Sequence, residues 1–390
     1  MAHDMSCFIF LNKFKKNIYK MRLKNLYPWS FVIIMLTLLM GKFMKKKKLF
    51  ILILLISLLI VTIISLFVGS SNMTILEVFD ALFLKGNNSN IRIIYSIRIP
   101  RILAAIIAGC GLSLAGLIMQ TTLNNSMASP QTLGVSNAAV FGANVSIIIF
   151  AGGYFISGNN ANSFFTNANP FSTSFLAFIF AILATLFILL LCKSREFSPN
   201  VVILLGIGIG SLFNSLTTLL QYYATDVGLS AAVIWNFGDL GRATYLIDLI
   251  MFVVVFISLI FFILNSWRYN ALLSGDNVAK SLGVNVKLLR FISLLFSSLI
   301  TAVCVSFLGI IGFVGIICPH ICRKIIGNDH RYLLVSSLLA GSLLLLLADM
   351  LSRVIGNGTS LPVGSITALL GLPFFIAIIF SKRGNNNAWN

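Results

Sequence analysis

The feature that most constrains this chain is the recurrence of apolar runs of about twenty residues, the length a helix needs to cross a ~30 Å hydrocarbon layer. The first clear example, Leu49 to Val68, contains no charged residue and follows Lys45, Lys46, Lys47 and Lys48 directly. Counting such runs against charged or Asn/Gly/Pro-rich breaks predicts ten spans, near 49–68, 102–122, 133–152, 172–192, 201–221, 245–265, 288–307, 310–326, 333–351 and 363–380. Of the 390 residues, 58% are hydrophobic and 10% charged, against roughly half and a quarter in soluble domains. A water-soluble fold cannot hide that much apolar surface, so the fold class is an all-α membrane protein.

The net charge of +18 could suggest nucleic acid as a partner. Basic patches that bind nucleic acid lie on polar surfaces, however, not between long apolar runs, and the membrane accounts for the charge better. Eleven basic residues fall before position 49, with Asp4 as the only acid there. This bias places the N-terminus in the cytoplasm and the chain in the cell membrane as a multi-pass protein in contact with lipid. The connections holding Lys193 and Arg195, Arg268 to Arg290, Arg323 to Arg331, and Lys382 with Arg383 then also become cytoplasmic, and their basic content agrees.

Residues 1–44 read as a basic extension, with a short apolar segment from Trp29 to Met40 that suits the membrane interface better than a crossing. Met44 is an alternative start, which would make residues 1–43 an addition or an artefact of start choice. Residues 45–383 form the membrane domain and 384–390 a polar tail. Cys7, Cys110, Cys192, Cys304, Cys318 and Cys322 are scattered mostly through apolar runs and suggest no disulfide framework. Cys318, His320 and Cys322 lack a fourth ligand, so they read as structural and no metal site is expected. Ala104, Ala105, Ala108, Gly109, Gly111, Ser113 and Gly116 suit close helix packing in lipid.

Arg92, Arg98, Arg101 and Arg353 break the charge rule by falling outside, together with Lys85 and Arg242. Arg98 and Arg101 flank Pro100 at the mouth of the second span, and Arg353 follows the ninth. They could present guanidinium forks to carboxylates of an external protein or snorkel to lipid headgroups, and the residues alone leave the two readings even. Asp349, four residues before Arg353, can pair with it at helical spacing. No phosphate loop, zinc-ligand spacing or Ser/His/Asp order is visible, so no catalytic residue is expected and any ATP is bound by another subunit. Between spans six and seven, residues 272–287 are amphipathic but too polar to cross. They read as two short helices broken at Gly283, with Ser274 capping the first, Asp276 in its first turn, and Val278, Ala279 and Leu282 as a small apolar face.

Four stretches then carry a resemblance: R-I-P-R-I-L-A-A-I-I-A-G at 98–109 with N-N-S-M-A-S-P-Q-T-L-G-V-S at 124–136; S-G-D-N-V-A-K-S-L-G-V at 274–284; G-F-V-G-I-I-C-P-H-I-C-R at 312–323 with G-N-D-H-R at 327–331; and A-D-M-L-S-R at 348–353 with L-P-V-G-S-I-T-A-L-L-G-L-P-F-F at 361–375. Over about residues 45–383 the chain resembles the FecCD-type permeases, which import iron–siderophores, haem and cobalamin. The resemblance implies the cobalamin-importer-like (type II ABC importer) fold, with ten helices and an inverted repeat relating spans two to five with seven to ten. It also implies a second permease subunit (a homodimer or a paralogous pair), ATP-binding subunits in the cytoplasm, and an external substrate-binding lipoprotein or periplasmic protein. No cofactor is implied for this chain.

Carried over residue by residue, Arg98, Arg101 and Arg353 look like the arginines that receive the binding protein. Ser274, Gly275, Asp276, Ala279, Leu282, Gly283 and Val284 resemble coupling helices that seat in the ATPase. Asn125 and Met127, with Ser198 and Asn200 facing them, match the cytoplasmic gate. Asn125-Ser126-Met127-Ala128 departs from the family's N-P-L-A by lacking the proline, which implies a more flexible gate. Asn214, Thr217, Thr218 and Gln221 on the fifth span are candidates for lining the path. The competing expectations are an ion-coupled carrier working through Asp349 and Asp248 and, more remotely, a membrane enzyme.

Overall fold

The computed structural model describes residues 47–69, 73–151, 169–193, 197–355 and 361–381. The N-terminal extension, Cys7 and the C-terminal tail lie outside the described residues. The chain divides into two compact units, Met1–Phe50 and Ile51–Asn390, and only Lys47 to Phe50 of the first is described.

Every regular element among the described residues is helical. In chain order they are α1 (Lys47–Phe67), α2 (Ile75–Leu82), α3 (Asn88–Ile93), α4 (Ile99–Thr122), α5 (Val135–Asn144), α6 (Pro170–Lys193), α7 (Pro199–Tyr222), α8 (Asp226–Asn236), α9 (Tyr245–Leu264), α10 (Ser266–Leu273), α11 (Asp276–Ser281), α12 (Val286–Leu308), α13 (Val314–Ile326), α14 (His330–Ile355) and α15 (Val363–Ser381). Each of the ten expected spans has a helix, but they are not ten equal crossings. Among the described residues, seven helices, counting α3 and α4 as one, are long and apolar enough to cross a membrane. The spans expected at 133–152 and 310–326 are shorter than a crossing requires: α5 with its π-helical end stops at Phe150, and α13 has 13 residues.

Both short helices start late for the same local reason. Gly134 (φ 71°) and Phe313 (φ 65°) occupy the left-handed region immediately before α5 and α13, and an ordered non-helical stretch precedes each. Non-helical backbone at membrane depth is tolerated only where protein covers it, and residues 128–130 and 311–312 are buried. The order of a long helix, a short one and two longer ones thus occurs twice, in α4 to α7 and in α12 to α15, at the positions the inverted repeat relates.

α4 forms the centre. Nearly every residue from Ala104 to Thr122 is buried, although the sequence is apolar all round, because α9, α12, α13 and α14 pack on it. Small residues permit that approach. A methyl group added at Gly109 would collide with the Gly341 carbonyl oxygen of α14, and one at Gly116 with the Gly315 oxygen of α13. Just before α4, residues Ile94–Arg98 widen into a π-helix. Pro100 has no N–H to donate and its ring crowds the preceding turn, and a π turn relieves both. That widening sets the direction of Arg98.

Candidate functional site

At the end of the bundle where α4 begins, the three arginines expected to meet a partner sit together but are covered. Arg98, Arg101 and Arg353 are 4%, 7% and 7% exposed. The Arg101 Nε donates to Asp349 Oδ1 at 2.6 Å, and the other Asp349 oxygen lies 2.9 Å from Nη2 of Arg353. Asp349 is fully buried and shared between the two guanidiniums, so the expected i, i+4 pair exists with a third member. Asp239, in the loop after α8, stands 3.9 Å from Arg101. Arg353 also donates to the carbonyls of Ser65 (3.1 Å) and Val68 (2.7 Å), and Arg98 donates to that of Leu66. These oxygens end α1 and carry the partial negative charge of a helix C-terminus. The arginines therefore anchor α1 to α4 and α14.

At the other end of α4, residues 266–285 form a folded knuckle. The expected break moves: α10 and α11 are separated at Gly275 (φ 104°), and Gly283 (φ 81°) ends α11 before the spanning helix α12. Ser274 terminates α10 and does not cap α11, whose N-cap is Gly275 with no side-chain bond. Asp276 is instead engaged by Arg290 through two parallel bonds of 2.7 Å. Ala279 and Val284 are buried, while Val278 (45%) and Leu282 (59%) project outward. Tyr269 is buried beneath the knuckle with its hydroxyl 2.7 Å from that of Ser293. Burial pushes its phenol well above the ordinary value, so it stays neutral.

The loop after α4 turns at once. Asn124 has φ 45°, and the Asn125 side chain accepts from the Met127 N–H at 2.9 Å, an Asx turn that holds Met127 half-exposed. Ser198 is the N-cap residue of α7, with no side-chain cap bond, and Asn200 is exposed in its first turn. Among the described residues, no hydrogen bond joins Asn125 or Met127 to Ser198 or Asn200. Further along α7, Gly208, Ser211, Asn214, Ser215 and Thr218 are exposed in the middle of the span. Thr217 is buried and bonds back to Phe213, while Gln221 donates to Asn144 at 3.0 Å. Of the path candidates, Asn214 and Thr218 are thus open and Thr217 is a packing residue.

Residues 57–381 match the model of the FecCD transport family. The chain belongs to that family. It is 46% identical over 322 residues to a protein assigned as an ABC transporter permease in Methanocaldococcus jannaschii, covering 83% of this chain and 91% of the relative. The hemin transport system permease of Yersinia pestis is 32% identical, covering 83% of this chain and 95% of that one. A solved structure described as an inward-facing metal-chelate type ABC transporter superposes with a TM-score of 0.73 at 27% identity, over 85% of this chain and 98% of that one.

FecCD proteins are permease subunits rather than enzymes, and ATP is hydrolysed in a separate ATPase. Arg101 and Asp349 tie α4 to α14, and Arg290 ties α12 to α4 and α11. Cys318 and Cys322 are buried on α13, against α4 and α14. Sequence reasoning missed Arg290, Asn270 and His330. Arg290 registered only as loop charge, because its partner Asp276 lies fourteen residues away across a break, a separation with no periodic signature. Asp239 was missed for the same reason. The signal that could have raised Arg290 is an arginine inside the first two turns of an otherwise apolar span.

Proposed function

We propose that this FecCD permease translocates an iron–siderophore complex, or the related chelates haem or cobalamin, brought by an external binding protein and driven by ATPase subunits seated on residues 274–284. The observation that carries the reading is the knuckle: Val278 and Leu282 project from a short polar helix whose base is fixed by Arg290. An apolar knob on a rigid mount suits a cleft on a soluble subunit, whereas lipid would not favour the surrounding Asp276, Asn277 and Lys280. On this reading the knuckle and the N-terminus are cytoplasmic and the three arginines external.

The resemblance to a hemin permease and to a metal-chelate type transporter supports the cargo class. A wide path with few charges allows a bulky chelate to be released. The exposed polar stripe of α7, flanked by the exposed Leu204, Ile207, Leu212 and Leu219, is unsuited to lipid, so a second permease subunit faces it, and the two polar stripes line the path. Docking on Arg98, Arg101 and Arg353 requires the end of α1 to yield some of the carbonyl contacts it makes now, with acidic residues of the binding protein taking their place. Asn125, Met127, Ser198 and Asn200 close the inner end.

The test is uptake into liposomes holding the permease with its ATPase, with binding protein added outside, using ferric siderophore, haemin, cobalamin and an inorganic oxyanion in separate arms. ATP-dependent accumulation of a chelate supports the proposal, and accumulation of the oxyanion alone would reassign the cargo. The ion-coupled reading retains one observation in its favour: among the described residues, neither carboxylate oxygen of the buried Asp248 has a hydrogen-bond partner. Uptake driven by an ion gradient with no ATPase present would establish that reading instead.

A further inference from the structure

Two side-chain links run from the α10–α11 knuckle and converge on adjacent residues at the end of α4. Arg290 forms the first. It is 4% exposed, gives both terminal nitrogens to Asp276, and donates Nε to the carbonyl of Thr122 at 2.8 Å. His330, at the start of α14, forms the second. Its Nδ1 lies 2.8 Å from Asn270 Oδ1 on α10, and its Nε2 lies 2.8 Å from the Thr121 hydroxyl. With the proton on Nδ1, assigned from the acceptor it faces, the ring connects the two without a clash of donors. Asn270 is held in turn, accepting from the His330 N–H and donating to Asp329.

Thr121 and Thr122 are the last two residues of α4. Two residues later, Asn124 turns the chain into the loop that carries Asn125 and Met127. We propose that Arg290 and His330 are positioning residues of the transport cycle: they carry displacement of the α10–α11 knuckle into the end of α4, and so into the 124–128 loop. This rests on the importer reading, since it needs an ATPase to move the knuckle. The geometry suits the task. A guanidinium is a rigid planar fork, and three of its donors are fixed here to two different elements, so Asp276 and the Thr122 carbonyl cannot shift relative to each other without breaking charge-assisted bonds. His330 adds a second attachment one residue away, which resists pivoting about the first. Packing joins the knuckle to α4 through α10, whereas α11 packs on α10 and α12, so the guanidinium is what ties Asp276 of α11 to the end of α4.

The experiment uses the complete assembly of permease, ATPase subunits and binding protein in liposomes, and measures substrate delivered per ATP hydrolysed in the same vesicles. Arg290→Lys keeps the charge but cannot span both partners, and it is expected to lower that ratio by about tenfold, within the range of allosteric coupling. The exchange Asp276→Arg with Arg290→Asp restores an ion pair but leaves nothing to donate to Thr122. Its thermal stability is expected to recover while the ratio stays low. His330→Ala, which leaves the Arg290 link intact, is expected to give a smaller fall. A wild-type ratio in Arg290→Lys, or its full recovery in the exchanged pair, would show that the arginine only stabilises the knuckle and would overturn the proposal. Failure of the importer reading looks different: the wild-type permease would then bind no ATPase subunit or would transport without ATP.

Discussion

Replacing Asp349 by asparagine removes one charge from the arginine cluster without changing the shape of the side chain. In the structure Asp349 is fully buried between Arg101 at 2.6 Å and Arg353 at 2.9 Å. Breaking a buried ion pair by removing one partner costs about 3–5 kcal/mol, chiefly because the remaining charge is stranded. Arg353 keeps the Ser65 and Val68 carbonyls, whereas Arg101 keeps only Ser352 at 3.5 Å and Asp239 at 3.9 Å. The loss therefore falls mainly on Arg101, and the cost belongs near the lower limit, about 3 kcal/mol, or roughly 5 °C or more in the apparent midpoint of thermal unfolding in detergent. The double variant Asp349→Leu with Arg101→Met removes both partners and is expected to recover most of the loss, as isosteric apolar replacements of buried pairs do. A midpoint for Asp349→Asn within about 1 °C of the wild type would refute this account. Loss of uptake in a variant of unchanged stability would refute it differently, by making Asp349 an ion-coupling carboxylate.

Three other changes test separate parts of the structure. Asp248→Asn neutralises a buried carboxylate that has no hydrogen-bond partner among the described residues, so stability is expected to rise by about 1 kcal/mol or more with ATP-driven uptake unchanged, as read by thermal unfolding and vesicle uptake. Gly116→Ala drives a methyl group into the Gly315 oxygen; α13 must retreat, and the loss should be about 3 kcal/mol or more, visible as poor recovery of folded protein in size-exclusion chromatography. Leu282→Asp sits on the exposed apolar knob (59% exposed) and should leave the permease's unfolding midpoint in place while weakening ATPase-subunit binding about tenfold in a pull-down titration.

What was legible in the sequence follows from which interactions are local. Lys45 to Lys48 ahead of Leu49 to Val68 marks the start of a span because both the charge and the apolar length are contiguous. Asp349 and Arg353 were readable as a pair because helical periodicity brings i and i+4 together. The short helices were not legible. Apolar content continues through Gly309 to Phe313, so hydropathy alone sees a span from 310, and only the left-handed backbone at Phe313 delays α13 to 314. The cap assigned to Ser274 failed because a left-handed-side glycine, Gly275 (φ 104°), intervenes and Ser274 belongs to the preceding helix. Burial of Arg98 and Arg353 was invisible for another reason: they donate to backbone carbonyls at the end of α1, and a carbonyl leaves no trace in residue identity.

That last point bears on how the permease can move. Both ends of α4 are held by charged or polar side chains acting on main-chain oxygens or buried carboxylates: Arg101 on Asp349 at one end, and Arg290 on the Thr122 carbonyl at the other. Between them, the close approaches at Gly109 and Gly116 bind α4 to α14 and α13 too tightly for sliding. A displacement applied at the knuckle is therefore not absorbed within α4, because its interior has neither a glycine-lined gap nor an unpacked face to deform. It must emerge where packing is weaker, in the 124–128 loop at the near end or in the α1 contacts of Arg98 and Arg353 at the far end. A spin label at Met127 and another on α2, which carries few packed residues beyond Val78 and Ala81, are therefore expected to report correlated changes on ATP binding. In Arg290→Lys the change at Met127 should shrink, and loss of the α2 change along with it would place both ends of α4 on one mechanical path.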